Sequence, residues 1–289
     1  ALTFPMAGGA SAILLEGPPE PERINKIFFE EKPTLFFGVP TLFAILLASD
    51  NLPTKDEHDV RLCISAGEPL PSDLLARWQG TFGVDILDGL GTTEMLHIFV
   101  SNRPDEITPG STGRVVPGYQ IRLINDNNEV CAPGEMGVLE VSGPSSALMY
   151  WGQRQKTKDT FKGTWTRTGD NYSISEKGVM TYGGRNDDML KVGGIYVSPF
   201  EVEAALIKHE PVLEAAVVGN NDQDGLVKPK GFIVLNKNFT GSDELASELI
   251  NFVKTNLAEY KYPRWIEFLD ELPKTATGKI QRFKLRTAS

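Results

Sequence analysis

The sequence predicts an α/β protein in three parts: a piece of a parallel α/β sheet, a β-rich, barrel-like subdomain, and a small mobile α+β domain. Three observations predict it. Apolar strand-like runs alternate with helical patterns through the first hundred residues, the signature of βαβ units. Short alternating runs separated by Pro-Gly and Gly-rich turns then take over. Finally, a serine-proline-x-glutamate capping box at Ser198 opens a compact helix-strand-strand-helix-strand unit. The divisions fall at residues 1–107, 108–186 and 187–289.

In order, residues 11–15 (Ser-Ala-Ile-Leu-Leu) read as a buried strand. Residues 21–32 read as a helix with Ile24, Ile27 and Phe28 on one face. Residues 35–39 form the next strand, and Pro40 opens a helix carrying Leu42, Phe43, Leu46 and Leu47. A strand over 60–64, a helix over 72–81 burying Leu74, Leu75 and Trp78, and a strand over 84–87 follow. Ligands of parallel sheets bind at the carboxyl ends of strands, which singles out the loops 65–71 and 88–94. Alternating runs at 119–124 and 137–141, and a Glu-Lys-Gly hairpin between 172–175 and 179–182, mark the antiparallel part. In the last part, the helix from Ser198 to about residue 208 is followed by strands at 213–218 and 231–235. A helix over 243–257 and a strand over 265–269 complete it.

Composition narrows the function. The 289 residues are 40% hydrophobic and 23% charged, as in ordinary globular proteins. A net charge of −9 argues against generic nucleic-acid binding. The only cysteines, Cys63 and Cys131, make neither a disulfide framework nor a Cys-based metal site, which fits a reducing cytoplasm. No apolar run approaches the length of a spanning helix, so no membrane partner is expected.

Four stretches carry chemistry. Tyr182-Gly-Gly-Arg-Asn-Asp-Asp-Met-Leu-Lys-Val-Gly-Gly194 joins two glycine pairs to arginine, aspartates and a lysine. By itself it reads either as a polar-ligand loop or as a tight hairpin with solvated charge. Asp88-Gly-Leu-Gly-Thr-Thr-Glu94 offers flexible backbone, two hydroxyls and a carboxylate. Those suit phosphate oxygens and a magnesium ion, and a surface turn with a capping threonine is the plainer alternative. Its third glycine is missing, so it is not a dinucleotide fingerprint. Thr164-Trp-Thr-Arg-Thr-Gly-Asp170 ends in an aspartate that can accept from a ribose diol or simply form an Asx turn. Pro273-Lys-Thr-Ala-Thr-Gly-Lys279 opens a basic tail; Pro273 excludes a Walker loop.

In order and spacing, these motifs resemble the adenylate-forming superfamily of acyl-CoA synthetases, luciferases and peptide-synthetase adenylation domains. The resemblance covers essentially the whole chain. Ser65-Ala-Gly-Glu-Pro-Leu-Pro71 and Gly91-Thr-Thr-Glu-Met-Leu-His-Ile-Phe99 look most like the benzoate and hydroxybenzoate CoA ligases. The resemblance implies an ATP- and Mg²⁺-dependent ligase of aromatic degradation, which activates an aromatic carboxylate as acyl-adenylate and passes it to coenzyme A. Residue by residue, it implies an adenine pocket at Gly67, Glu68 and Pro69. It puts Thr93 on the adenylate phosphate, Glu94 on Mg²⁺, Asp170 on the ribose and Arg185 beside it. Asp187 matches the hinge, Gly193 and Gly194 the pantetheine tunnel, His97 and Ile98 the aryl pocket, and Lys279 the adenylation lysine. Ligases of other aromatic or short acids share the pattern, and a homodimer stays open.

Two departures stand out. Leu90 sits where most members carry an aromatic side chain. The Ser/Thr/Gly-rich loop that cradles the ATP β- and γ-phosphates has no counterpart in residues 1–50, and the chain begins at Ala1. The expectation is the C-terminal portion of a ligase, with a non-catalytic nucleotide- or CoA-binding fragment as the alternative.

Overall fold

The structure, a computed structural model, describes residues 3–186, 188–193, 195–274 and 280–286. The chain divides into two compact units: Ala1–Ser65 with Ser72–Leu87, and Ala66–Pro71 with Asp88–Ser289.

The first unit holds α1 (Thr3–Ala7), α2 (Pro21–Glu30), β1 (Leu35–Gly38), α3 (Pro40–Leu47), nearly all of β2 (Leu62–Ala66) and α4 (Ser72–Phe82). β1 and β2 are parallel, with Leu35 opposite Leu62 and Gly38 opposite Ser65, as the βαβ reading requires. Proline occupies the first turn of both α2 and α3, where its missing N–H costs nothing. The residue ahead of Pro40, Val39, is held extended, so β1 ends and α3 begins without a linker. The core is aromatic. Phe43 meets the Trp78 ring edge-on at 4.8 Å, Phe28 lies 5.1 Å from Phe82, and His58 stacks on Phe82 at 3.8 Å. One expectation fails: residues 11–15 are irregular and exposed. Their apolar run has no neighbouring strand among the described residues to take up its backbone groups, and propensity alone does not make a strand.

β3 (Ile86–Gly91) carries the chain into the second unit, where a 3-10 turn, Thr93–Met95, leads to β4 (Ile98–Ser101) and β5 (Arg114–Val115). β3, β4 and β5 pair antiparallel, so the sheet is mixed rather than mostly parallel. Next come β6 (Gln120–Ile124), β7 (Met136–Ser142), α5 (Arg154–Thr160), β8 (Phe161–Lys162), β9 (Trp165–Ile174) and β10 (Met180–Arg185). These strands form an antiparallel sheet in the order β10-β9-β7-β6, with β8 on β9. Met95, Phe99, Leu123, Leu139, Tyr172 and Met180 fill its core.

The hairpin β11 (Leu190–Val192) and β12 (Ile195–Val197) precedes α6 (Pro199–Ile207), β13 (Val212–Asn221), β14 (Val227–Leu235), α7 (Asp243–Asn256), β15 (Trp265–Phe268) and α8 (Arg282–Arg286). The sequence signals for α6 hold: the Ser198 hydroxyl accepts from the Glu201 N–H at 3.3 Å, with Pro199 in the first turn. Ser242 caps α7 in the same way. β13 and β14 are antiparallel and β14 and β15 parallel. Val202, Leu206, Val217, Ile233, Leu249 and Val253 pack between this sheet and the two long helices.

Candidate functional site

The site is built at the carboxyl end of β3 and along the β9–β10 pair. The Thr92 side chain accepts from the Met95 N–H at 3.3 Å, capping the 3-10 turn and setting Glu94 on its outer side. The connection after β7 braces the turn. Ser145 donates to the Met95 carbonyl at 2.7 Å, and the Ala147 N–H donates to that of Glu94 at 2.7 Å. The Tyr150 hydroxyl donates to Glu94 Oε1. Burial pushes the Glu94 carboxyl up, but Tyr150, Thr92 and the charge of Lys156 outweigh it, so the carboxyl sits below its usual value. It is a half-buried, ionised carboxylate. That suits Mg²⁺, which takes one or two carboxylates and fills its shell with water and phosphate oxygens. No cluster of three or more His, Cys, Asp or Glu exists among the described residues.

Asp170 is buried, and Arg185, directly across β9–β10, donates to its Oδ1 at 3.1 Å. Burial lifts the Asp170 carboxyl; Arg185 opposes the lift and the charge of Glu94 adds to it. Gly169, within β9 at φ +77°, comes just before Asp170, and a Cβ there would sit 3.2 Å from the Arg185 guanidinium. The glycine pair of β10 has a packing reason as well. A side chain at Gly183 would collide with Met136, and the register slips between Tyr182 and Gly184.

The loop 66–71 leaves Gly67 exposed at φ +92°, with Glu68 and Pro69 half-buried. Asp88, near Leu70 of this loop, opens the 88–94 motif but carries no sequence signal of its own. Asp88 is buried; the nearby Thr112 hydroxyl and the Gly89 and Leu70 N–H groups favour its charged form, and its Oδ1 has no hydrogen-bond partner. Desolvation raises its carboxyl to about 7. A buried acceptor left open is costly. Tyr150 escapes the sequence reading too; it lies 56 residues from Glu94 in an irregular connection, where no periodicity or motif flags it.

Glu94, Tyr150, Asp170 and Arg185 thus form one electrostatic cluster. Thr93 is exposed beside it. His97 is exposed and Ile98 half-buried at the start of β4, with the His97 Nδ1 3.2 Å from the Ile98 carbonyl. Gly193, exposed at φ +58°, belongs to a different neighbourhood. Its hairpin is anchored to the turn after β6, where the Tyr196 hydroxyl donates to Asp126 at 2.9 Å and Lys191 lies 3.4 Å away. Asp187, Gly194 and Lys279 lie outside the described residues.

The capped turn with its ionised glutamate thus lies beside an Asp–Arg pair on adjacent strands. Residues 1–151 match the AMP-binding enzyme family and residues 201–279 its C-terminal domain; the chain belongs to that family. The chain is 56% identical to the benzoate–CoA ligase of Thauera aromatica, over 99% of its own length and 55% of the relative's. It superposes on a crystal structure of a benzoate CoA ligase from Burkholderia xenovorans LB400 with a TM-score of 0.92 at 53% identity, covering 99% of this chain and 57% of that one. An anthranilate CoA ligase in complex with anthranoyl-AMP matches at TM-score 0.92 and 46% identity, covering 99% and 56%. The chain spans about half the length of the curated relatives it matches.

Proposed function

We propose that this chain is the C-terminal portion of an AMP-forming aryl-CoA ligase of the benzoate or hydroxybenzoate type. The observation that carries the proposal is the Glu94–Tyr150–Asp170–Arg185 cluster. It combines one carboxylate held ionised for a metal with another that, with its arginine, suits a polar ligand. The likeness to benzoate CoA ligases over nearly the whole chain supports the substrate class.

In this reading Gly67, Glu68, Pro69 and the open Asp88 Oδ1 line the adenine site, and Asp170 accepts from the ribose hydroxyls with Arg185 beside it. Thr93 donates to the adenylate phosphate, and Glu94 holds Mg²⁺, which would offset phosphate charge. A carboxylate oxygen of the aromatic acid attacks the α-phosphorus of ATP, and pyrophosphate leaves. Lys279 offsets the charge of the two anions brought together. The CoA thiol then attacks the acyl carbon, its proton passes to solvent, and AMP leaves. His97 and Ile98 border the aryl ring, while Gly193 and Gly194 line the path of the pantetheine arm. Lys279 and the glycine hairpin lie on one side of Asp187, so serving both steps requires the 187–289 part to turn about that residue against the 1–107 and 108–186 parts.

The test uses the full-length protein with ATP, benzoate and CoA. Pyrophosphate release dependent on benzoate is expected. Lys279→Ala should abolish adenylation, by about a hundredfold or more, yet still convert supplied benzoyl-adenylate to the thioester. Equal loss of both half-reactions would refute that division of labour. Pyrophosphate release by residues 1–289 alone would show that the portion is itself a complete catalyst.

A further inference from the structure

A buried charge cluster in the last part of the chain has no role in the reading above. Glu203, on α6, is 5% exposed. Its Oε1 accepts from the Val217 N–H at 2.7 Å, and its two oxygens take Arg282 Nη2 at 3.0 and 2.7 Å. The Arg282 Nε also donates to Oε1, at 3.1 Å. The Arg282 side chain is itself 10% exposed, lies 4.2 Å over the Phe200 ring, and approaches Asp188 at 3.9 Å. Arg286, one turn further along α8, pairs with the same Asp188. Two carboxylates and two guanidiniums from three distant stretches therefore meet at residue 188, the first position beyond Asp187.

Such a cluster is a poor way to gain stability, because desolvation consumes most of the Coulombic gain. Nor does α8 need it for adhesion. Leu285 packs with Leu272 and Ile280 against Ala216, Val218, Phe232 and Val234. What apolar packing does not give is direction. A guanidinium fork held by a carboxylate on one side and a ring face on the other fixes distance and angle together. Just before Arg282, the residues flanking 275–279 are held together by the Lys274–Ile280 bridge and by the Gln281 N–H donating to the Pro273 carbonyl at 2.8 Å. Phe200 in turn meets the Tyr182 ring edge-on at 5.0 Å, so the arginine's stacking partner touches the last strand before the junction.

We infer that Arg282 is a positioning residue: through Glu203 and Asp188 it locks α8, and with it the paired residues Lys274 and Ile280, to the chain immediately beyond residue 187. α8 and residue 188 then turn as one body. The inference rests on the role given above to Lys279.

The experiment compares Arg282→Lys, Glu203→Gln, Asp188→Asn and Lys279→Ala in the full-length ligase. ATP–pyrophosphate exchange reads adenylation, and conversion of supplied benzoyl-adenylate with CoA reads the second step. Arg282→Lys keeps the charge and loses the fork. It and Glu203→Gln are expected to lower exchange about tenfold or more, with thioester formation within about threefold of wild type. A merely structural role would lower both steps together, and that result overturns the inference. Should the two more buried variants fail to fold, Asp188→Asn at the outer end of the cluster decides by the same split. A silent Lys279→Ala overturns the lysine assignment and the inference with it; a dead Lys279→Ala beside a normal Arg282→Lys overturns the inference alone.

Discussion

At Asp88 the backbone and the solvent disagree about a proton. The ordinary aspartate value is 3.8, and burial raises it to about 7 in the folded chain. The folded state therefore binds the proton more tightly than the unfolded state, so stability falls as pH rises from about 4 to 7 and levels off above. An asparagine in its place has no such slope. Asp88→Asn is expected to gain stability over wild type as pH rises, by at most about 4 kcal/mol between pH 4 and 8. Urea unfolding of the full-length protein at both pH values checks the sign; a gap independent of pH would remove the buried charge from the account. Charge at this position is costly to the fold.

At the scale of elements, the β3–β4 hairpin shows why glycine recurs along β3. A Cβ on Gly91 would stand 2.6 Å from the His97 carbonyl oxygen, and one on Gly89 would stand 2.9 Å from Ile98 Cδ1. Gly91→Ala is expected to cost about 2 kcal/mol or more, since backbone rather than a flexible side chain must move. Thermal unfolding measures the loss, and a change under about 0.5 kcal/mol would mean that the hairpin has slack. Helices with a proline or serine start are legible in the sequence to within two residues at 21, 40, 198 and 243, because caps and apolar faces are local. Strands with alternating patterns at 120–124 and 136–142 are legible for the same reason. β4 and α5 are not: Ile98–Ser101 is four residues long, and Arg154–Thr160 buries nothing, so neither has a periodic face to read. In the candidate site, Glu94, Asp170 and Arg185 stand out through their motifs. Tyr150 does not, because its role exists only once two stretches 56 residues apart fold together.

Over the whole molecule, the charges that most constrain one another are far apart in the chain. Glu203 and Arg282 are separated by 79 residues. Removing one member of a buried pair strands the other, whereas replacing both with apolar groups of similar volume is often neutral. Glu203→Leu is therefore expected to cost about 3–5 kcal/mol, and Glu203→Leu with Arg282→Met close to none, in equilibrium unfolding of the full-length protein. An additive double variant would show that the pair is not coupled. No helix among the described residues is long and apolar enough to cross a membrane.

The same separation sets a schedule during synthesis. At about 5–20 residues per second, Arg282 is made roughly 4–16 s after Glu203. In that interval α6 and β13 have left the ribosome's decoding site with a carboxylate destined for the interior and no counter-charge to accompany it. The domain can hide that group only in protonated form, or must keep it in water. Its final closure thus waits on the arrival of α8, and a ribosome that stalls short of residue 282 leaves behind a nascent domain whose last packing step cannot occur.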